Sequence, residues 1–481
     1  MREWISACDG NHISCNILSE TPLPNRVIEV TNPVRLRISA GMRAKYVTLS
    51  HRWRSKPFLQ LTTSNIDLLQ QGISLEGLPE TFQDAIQVTK ELGIRYLWID
   101  SLCIVQDDLN DWKREAKRMA SIYQNSYCTL AATMSHNGES FLNQNVNGQS
   151  PGYAFDIDKK NPAAGQFYMV QVVLPDPRNQ IRDQELNHRG WVFQERLLSK
   201  RLIHFARHQI YWECSTEASS QDGNIFSKVN FADFLFPLPA LAKALTPHNS
   251  RPVSEAEIDR LWLHIVEHYS ECQFTNEQDR LPAIYGLANY LRSFNPRRKY
   301  IAGHWFESIS GRIPPTVFWI PASPPGESMR LPGPSWSWSS FLGGVTFQGS
   351  SVHVEPELES WETILDEEWN HDVTLNIRGK IRLFRLGSSA EGSRLSALLA
   401  ESESGDVPPS VAGNITLDYP GHKPQYAHCL YLTEDFAGYV KMLALERTTK
   451  PHTYRRIGIG SMSQQFAWLF RSVPVARLVL I

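Results

Sequence analysis

The alternation of apolar strands with amphipathic helices between Tyr46 and Met134 constrains the fold of this chain more than any other feature. The segments "YVTLS", "IRYLWID" and "CTLAATM" are almost continuously apolar, as strands covered on both faces must be. Amphipathic helices are predicted between them, in "LPETFQDAIQVTKELG" and "NDWKREAKRMASIYQN". Short connections of this kind favour right-handed crossovers. The sequence therefore predicts an α/β core built on a parallel sheet.

Beyond this core the regular alternation of strands and helices is lost. A chain of 481 residues is also longer than a single hydrophobic core usually supports, so several parts are expected. We predict four parts, which are an N-terminal segment (1–45), the α/β core (46–205), a mixed helical and Trp-rich α+β region (206–342) and a β-rich C-terminal region (343–481). The Ser, Gly and Glu-rich stretch at 387–413 is predicted to be a mobile insertion between two of the C-terminal strands.

Charge and cysteine usage argue against several classes of protein. The 48 basic and 50 acidic residues nearly cancel, so no overall field favours nucleic acid or a membrane surface. The seven cysteines are scattered without a Cys-x2-Cys pair, which is typical of reduced intracellular proteins. Neither a secretion signal nor a spanning segment is found. We predict a soluble cytoplasmic protein that binds no nucleic acid and does not span a membrane.

The N-terminal segment holds three residues with the spacing of metal ligands. Cys8, His12 and Cys15 form a Cys-x3-His-x2-Cys pattern. A structural zinc ion needs four ligands, and the neighbouring sequence offers no fourth. No metal site is predicted from these residues.

Polar side chains follow two of the predicted strands at their carboxyl ends. Ser50 and His51 end the first strand, and Asp100 ends the second. Ligands of open parallel sheets bind at this edge, so these residues are candidate ligand-binding residues if the two strands are neighbours. The alternative interpretation is structural, with Asp100 accepting hydrogen bonds from loop amides and His51 packing against Trp53.

Two arginines follow the first strand in "HRWRSK". Arg52 and Arg54 would lie near the same edge, and guanidinium groups match phosphate oxygens well. We predict that they contact a phosphate-bearing ligand, with an ordinary solvated loop as the alternative. The chain has no Gly-x-Gly-x-x-Gly and no P-loop motif to support this interpretation.

One carboxylate falls on the apolar face of a predicted helix. At 100° per residue, Glu115 lies in the stripe formed by Trp112, Met119 and their neighbours. A carboxylate facing a core costs several kcal/mol unless it is paired or opens into a cavity. Glu115 is therefore either a functional acid or half of a buried ion pair, with Arg95 or Arg189 as its partner.

Four stretches of this sequence resemble a known family in order and spacing. They are "YVTLSHRW", "LPETFQDAIQVTKELGIRYLWIDSLCIVQDD", "DWKREAKRMASIYQNSYCTLAAT" and "RGWVFQERLLSKRLIHF". Over Tyr46 to Phe205 they resemble the fungal heterokaryon incompatibility (HET) domain. The resemblance implies a fungal protein tied to non-self recognition and programmed cell death. The HET domain is itself similar to TIR domains, some of which cleave NAD, so the resemblance implies a TIR-like core.

The resemblance also implies roles for particular residues. TIR enzymes place a glutamate on a helix shortly after a tryptophan, and Trp112 with Glu115 is similar to that arrangement at a spacing one residue shorter. Glu115 is thus the predicted catalytic residue and Trp112 a predicted ligand contact. Members of the family commonly read Ser-His-Cys-Trp-Gly where this chain has arginine at positions 52 and 54, which removes a glycine and adds two cations.

We therefore expect a HET-domain cell-death effector that binds and cleaves NAD, with NAD as substrate and no resident cofactor. Its expected partners are further copies of itself or other death-signalling proteins. Two alternatives remain open: a non-catalytic, self-associating signalling module, and a HET-fold enzyme recruited to a fungal secondary-metabolite pathway. A shared fold does not distinguish among them.

Overall fold

The fold is given by a computed structural model of the chain, which forms two compact units, Met1–His248 and Asn249–Ile481. The structure describes residues 1–12, 15, 20–53, 56–135, 137–142, 152–156, 166–170, 178–227, 254–294, 296–307, 313–322, 330–347, 355–363, 373–387, 395–400, 410–419, 422, 424–435 and 437–481. The division into four parts that the sequence suggested stays a prediction.

The first unit contains the α/β core. Its helices are α1 (Arg2–Asn11), α2 (Ile66–Gln71), α3 (Glu80–Glu91), α4 (Asp100–Cys103), α5 (Leu109–Asn125) and α6 (Gly190–Leu198). Its strands are β1 (Thr21–Pro22), β2 (Arg26–Glu29), β3 (Arg35–Ile38), β4 (Arg43–Ala44), β5 (Tyr46–Ser50), β6 (Tyr96–Trp98), β7 (Cys128–Ala131), β8 (Gly152–Asp156), β9 (Gln166–Val170), β10 (Arg201–Phe205), β11 (Ile210–Cys214), β12 (Glu217–Ser220) and β13 (Ile225–Ser227).

Nine of these strands form one mixed sheet in the order β13-β12-β11-β10-β7-β5-β6-β2-β3. At its centre β5 pairs in parallel with β6 and with β7, and β7 pairs in parallel with β10. The predicted parallel sheet is thus confirmed. The four parallel strands stand in the spatial order second, first, third and fourth along the chain, which is the order of doubly wound, flavodoxin-like sheets.

The helices cover this sheet as the apolar pattern predicted. β5, β6, β7 and β10 are buried at every position. α3 buries Phe82, Ala85 and Ile86, while α5 buries Met119 and Ile122. Because the chain crosses from β5 to β6 in one direction and from β6 to β7 in the other, right-handed crossovers place α3 and α5 on opposite faces.

The segment after β6 differs from its predicted form. The strand ends at Trp98, and Asp100 begins the short helix α4 where the sequence suggested a loop. The Asp100 carboxylate accepts a hydrogen bond from the backbone N–H of Ser101 at 2.7 Å, and the helix dipole favours an acid in the first turn. The side chain consequently stays at the carboxyl end of the sheet.

The second unit is built from two longer helices, α7 (Glu255–Ser270) and α8 (Pro282–Arg292), the short helix α9 (Trp468–Arg471), and β-structure. Its strands are β14 (Arg298–Ile301), β15 (His304–Glu307), β16 (Trp319–Pro321), β17 (Val345–Phe347), β18 (Glu357–Thr363), β19 (Val373–Leu386), β20 (Leu395–Ala400), β21 (Ser410–Leu417), β22 (Tyr426–Glu434), β23 (Tyr439–Arg447), β24 (Thr453–Ser463) and β25 (Val475–Leu480).

Eight of these strands form a largely antiparallel sheet that closes on itself, because β19 pairs with both β20 and β22. The β-rich character predicted for the C-terminal region is confirmed. Part of the predicted mobile insertion is regular structure, since β20 and the start of β21 lie within 387–413. The rest of that stretch lies largely outside the described residues.

The N-terminus of α5 offers a direct test of local structure. The Asp108 carboxylate caps the helix by accepting hydrogen bonds from Asn110 N at 2.9 Å and Asp111 N at 3.2 Å. We expect Asp108→Ala to lower the free energy of unfolding by about 1 kcal/mol, since the cap is lost. Urea unfolding followed by circular dichroism measures the change. Glu76→Ala, at an exposed loop position, is the control, and equal effects of the two substitutions would contradict the capping role.

Candidate functional site

The candidate site lies where the order of the parallel strands reverses. β5 is the first of these strands along the chain and separates the second, β6, from the third, β7. Ligands of doubly wound sheets bind outside the carboxyl ends of the strands at such a switch point. Ser50 and His51 stand at the carboxyl end of β5, and Asp100 follows β6. The strand pairing thus brings together three of the predicted ligand-binding residues.

Asp100 is the carboxylate that solvent reaches at this edge, with 23% of its side chain exposed. Besides the Ser101 amide, its Oδ2 atom accepts a hydrogen bond from Trp53 Nε1 at 2.8 Å. His51 Nε2 lies 3.8 Å from Oδ1. The Asp100 carboxylate is therefore held in one orientation by these two donors, and the His51 imidazole lies beside it.

His51 is a buried imidazole at the same edge. Its ring meets Phe82 edge to face, with ring centres 5.0 Å apart, and its carbonyl oxygen accepts a hydrogen bond from Arg189 Nη1 at 2.9 Å. Burial lowers the pKa of His51, Asp100 opposes this change, and the Arg189 charge lowers it further. His51 is consequently a neutral imidazole near pH 7.

Glu195 joins this group from α6, and sequence reasoning did not select it. Its side chain is buried, which raises its pKa from an ordinary value of 4.5 to about 7. The negative charge of Asp100 raises this pKa further. The pKa is lowered by the Ser50 hydroxyl, the Arg189 charge and the Tyr123 phenol. At neutral pH Glu195 can therefore either give or take a proton, as a general acid–base group requires.

A chain of hydroxyl groups fixes the end of α6 that carries Glu195. Ser199 Oγ donates to the Glu195 carbonyl at 2.6 Å and contacts Thr129 Oγ1 at 2.6 Å. Thr129 in turn contacts Thr48 Oγ1 at 2.7 Å. These contacts connect α6 with β7 and β5, so the position of Glu195 is set by the sheet itself.

Three buried polar atoms at this edge lack a hydrogen-bond partner among the residues that the structure describes. They are Ser50 Oγ, His51 Nε2 and Glu195 Oε2. Ser50 lies close enough to Glu195 to lower its pKa, but the pair does not complete a hydrogen bond of standard geometry. Buried polar groups are nearly always satisfied in folded proteins, so these three atoms are available to a ligand or to water.

The other predicted ligand contacts, Arg52 and Trp112, have partners outside the group of Ser50, His51 and Asp100. Arg52 is half exposed and forms an ion pair with Glu185. Trp112 packs edge to face on Trp191 with ring centres 6.1 Å apart, which joins α5 to α6. Arg54 lies outside the described residues. Their roles in ligand binding stay predictions.

Glu115 is buried, as its place in the apolar stripe predicted, but it has other partners. Its Oε1 atom accepts a hydrogen bond from Asn25 Nδ2 at 2.6 Å and lies 3.8 Å from Arg118 Nη1. Neither arginine that the sequence suggested is its ion-pair partner, since Arg95 pairs with Glu29 and Arg189 binds the His51 carbonyl. Glu115 Oε2 has no hydrogen-bond partner within the described ranges.

A weak signal for Glu195 exists in the sequence. It is the one acid in "GWVFQERLL", a segment that α6 buries almost entirely. The same argument that singled out Glu115, an acid in an apolar surrounding, applies to it. The helix is short and apolar on most sides, so periodicity alone does not mark Glu195 as misplaced.

Four tryptophans of the second unit, Trp262, Trp319, Trp336 and Trp338, are buried in its core. Trp262 and Trp338 both donate their indole N–H to the Gly303 carbonyl, at 3.1 and 3.0 Å. Trp319 donates to the Trp336 carbonyl at 3.0 Å. These contacts satisfy the buried indole N–H groups of Trp262, Trp319 and Trp338.

The fold and the site together define a doubly wound α/β domain with a candidate ligand site at its switch point. Residues 46–195 match the model of the family described as Heterokaryon incompatibility protein (HET). The chain therefore carries a HET domain, and the match includes Ser50, Asp100 and Glu195. Searches of curated proteins and of solved structures each found no significant match. Within the described part of the chain, every helix is too short or too polar to cross a lipid bilayer.

Proposed function

We propose that this chain acts in heterokaryon incompatibility as a cell-death effector whose TIR-like HET domain binds and cleaves a nicotinamide dinucleotide. The observation that carries the proposal is the group of unpartnered polar atoms on Ser50, His51 and Glu195 at the switch point of the sheet. The parallel strand order supports a nucleotide-type ligand, because doubly wound sheets commonly bind such ligands at this place.

The chemistry needs few groups. Water attacks the ribosyl carbon that carries nicotinamide, the carbon–nitrogen bond breaks, and its electron pair goes to the pyridinium ring. Nicotinamide leaves as a neutral molecule and needs no proton from the protein. The proton of the attacking water goes to Glu195, whose pKa of about 7 suits a general base at neutral pH.

The other residues of the site have binding roles in this proposal. Asp100 and Ser50 accept hydrogen bonds from the ribose hydroxyls, and the Asp100 charge stabilises the positive charge that develops on the sugar. Trp53 and Trp112, both partly exposed, offer ring faces to the ligand. Arg52 exchanges its ion pair with Glu185 for a phosphate oxygen, and Arg54 is proposed to do the same.

Glu115 is the second candidate for the catalytic carboxylate. The resemblance to TIR enzymes favours Glu115, whereas the contacts with Ser50 and Asp100 favour Glu195. Glu115 is held by Asn25 and Arg118, and its described contacts do not include Ser50, His51 or Asp100. We therefore assign Glu195 to the chemistry and treat Glu115 as the alternative that the variants must distinguish.

The test is nicotinamide release by the purified full chain. NAD is incubated with the protein at concentrations at which chromatography shows that it self-associates. We expect nicotinamide and ADP-ribose to form in equal amounts, and the exposed-loop variant Glu76→Gln to match the wild type. If assembled protein leaves NAD unchanged, the catalytic proposal is wrong. The non-catalytic signalling module then becomes the better hypothesis, unless the gene lies among biosynthetic genes, which would favour the metabolite enzyme.

A further inference from the structure

Four side chains that can bind a metal ion meet at one place in the first unit. Cys8 lies on α1, His12 and Cys15 follow the end of that helix, and Cys214 is the last residue of β11. One ligand atom of each residue lies within 4.8 Å of those of the others. The three cysteines are buried, and the His12 side chain is only 12% exposed. The fourth ligand, which the N-terminal sequence did not offer, is Cys214, a strand residue 202 positions after His12.

The spacing of these atoms suits a single tetrahedral ion. Zinc binds thiolate sulfur at about 2.3 Å and imidazole nitrogen at about 2.0 Å, which places tetrahedral ligand atoms about 3.5–3.8 Å apart. Cys214 Sγ lies 3.5 Å from His12 Nδ1. No two of the four ligand atoms are more than 4.8 Å apart, so movements of about 1 Å, which side-chain rotation supplies, bring them into this range.

The surroundings of the four residues resemble the outer shell of a structural metal site. Cys214 Sγ accepts hydrogen bonds from the backbone N–H groups of Thr216 and Glu217, both at 3.4 Å. Glu217 Oε2 lies 3.6 Å from His12 Nε2, so a proton on Nε2 leaves Nδ1 to face the sulfur atoms. A carboxylate that orients the metal-binding histidine in this way is common around zinc.

A buried cation lies beside the cluster. Arg201 is fully buried, and its Nη2 atom donates to the Cys15 carbonyl at 3.3 Å and to Asp9 at 2.6 Å. Three thiolates and one zinc ion carry a net charge of −1, and the Arg201 guanidinium group, which also pairs with Asp9, places a positive charge beside them.

We propose that Cys8, His12, Cys15 and Cys214 form a structural zinc site. Three sulfur ligands and one nitrogen ligand select zinc among the common divalent ions, and four protein ligands leave no open position for catalysis. Bound zinc ties α1 and the chain after it to β11. The site therefore stabilises the N-terminal segment against β11 of the α/β sheet, independently of any activity at the switch point.

The test is the metal content of the full chain and of its variants. Protein purified without chelator should contain about one zinc per chain by mass spectrometry of the metal. Chelator-treated wild-type protein should take up one Co²⁺ and show the intense visible bands of a tetrahedral thiolate site. Cys214→Ser and His12→Ala should lose the metal, whereas His12→Cys, which keeps four ligands, should retain it.

Cys103→Ser is the matched control, because Cys103 is a buried cysteine of the same unit outside the cluster. It should keep one zinc per chain. The proposal is overturned if wild-type protein contains no zinc and takes up no Co²⁺, or if Cys214→Ser retains a full equivalent. An intact mass lower by two hydrogens that depends on Cys214 would also overturn it, since it would show a disulfide instead.

Discussion

Glu195→Gln is expected to lower the rate of nicotinamide release by a factor of about 10²–10⁴, the range that loss of a general base usually produces. Glutamine keeps the shape of the side chain but accepts no proton. Chromatography of nicotinamide formed by wild-type and variant protein measures the loss. Glu115→Gln is measured beside it and should retain most of the activity. If instead Glu115→Gln is inactive and Glu195→Gln is not, the catalytic carboxylate is Glu115.

The same substitution has a second effect that is independent of catalysis. Folding raises the pKa of Glu195 from 4.5 to about 7, so the folded protein binds this proton more tightly than the unfolded chain. Its contribution to stability is therefore fully present below about pH 4.5 and is lost as the pH rises through 7. The difference corresponds to about 3 kcal/mol, at about 1.4 kcal/mol for each pH unit.

Urea unfolding at pH 5 and pH 8 separates this effect from other titrating groups. The free energy of unfolding of wild-type protein should fall more between these pH values than that of Glu195→Gln, because the variant lacks the titrating group. Parallel pH dependence of the two proteins would show that Glu195 is not buried as a protonated acid. It would also remove the physical basis for its role as a general base.

Asp418→Ala is expected to lower the free energy of unfolding of the second unit by about 3–5 kcal/mol. Asp418 accepts hydrogen bonds from Arg456 Nε at 3.0 Å and Nη2 at 3.1 Å, and both side chains are almost completely buried. Arg456 also stacks on the Trp319 ring, 3.6 Å from its centre, and donates to the Val317 carbonyl. Removing the carboxylate leaves this guanidinium group without its counter-charge in a core from which it cannot withdraw.

Thermal and urea unfolding measure the loss of stability in Asp418→Ala, which breaks a buried ion pair, and in a control that breaks an exposed one. Glu357→Ala is the control, because Glu357 lies 3.8 Å from Arg378 and 71% of its side chain is exposed. Screening by solvent makes exposed pairs of this kind weak, so little change is expected. Similar losses for Asp418→Ala and Glu357→Ala would contradict the argument from burial.

The sequence by itself determined the parallel core of this protein and one side of its candidate site. The apolar runs at β5, β6 and β7 specified buried strands, and the stripe containing Met119 and Ile122 specified a covering helix, since both patterns depend on neighbours a few residues apart. Ser50, His51 and Asp100 followed as a group from the rule that parallel strands present their carboxyl ends at one edge. Periodicity also showed that Glu115 is buried.

Only the tertiary structure decided which distant residues complete the candidate site and the cysteine–histidine cluster. Glu195 reaches Ser50 because α6 crosses the same face of the sheet as α5, and Cys214 reaches His12 because β11 returns antiparallel to β10. Glu115 contacts Asn25, and Glu195 lies beside Ser50 and Asp100. These contacts also join residues that are far apart in the sequence. A local pattern records which face of an element is buried, but the partner on that face depends on strand order and chain path. Those are set by the packing of the whole unit.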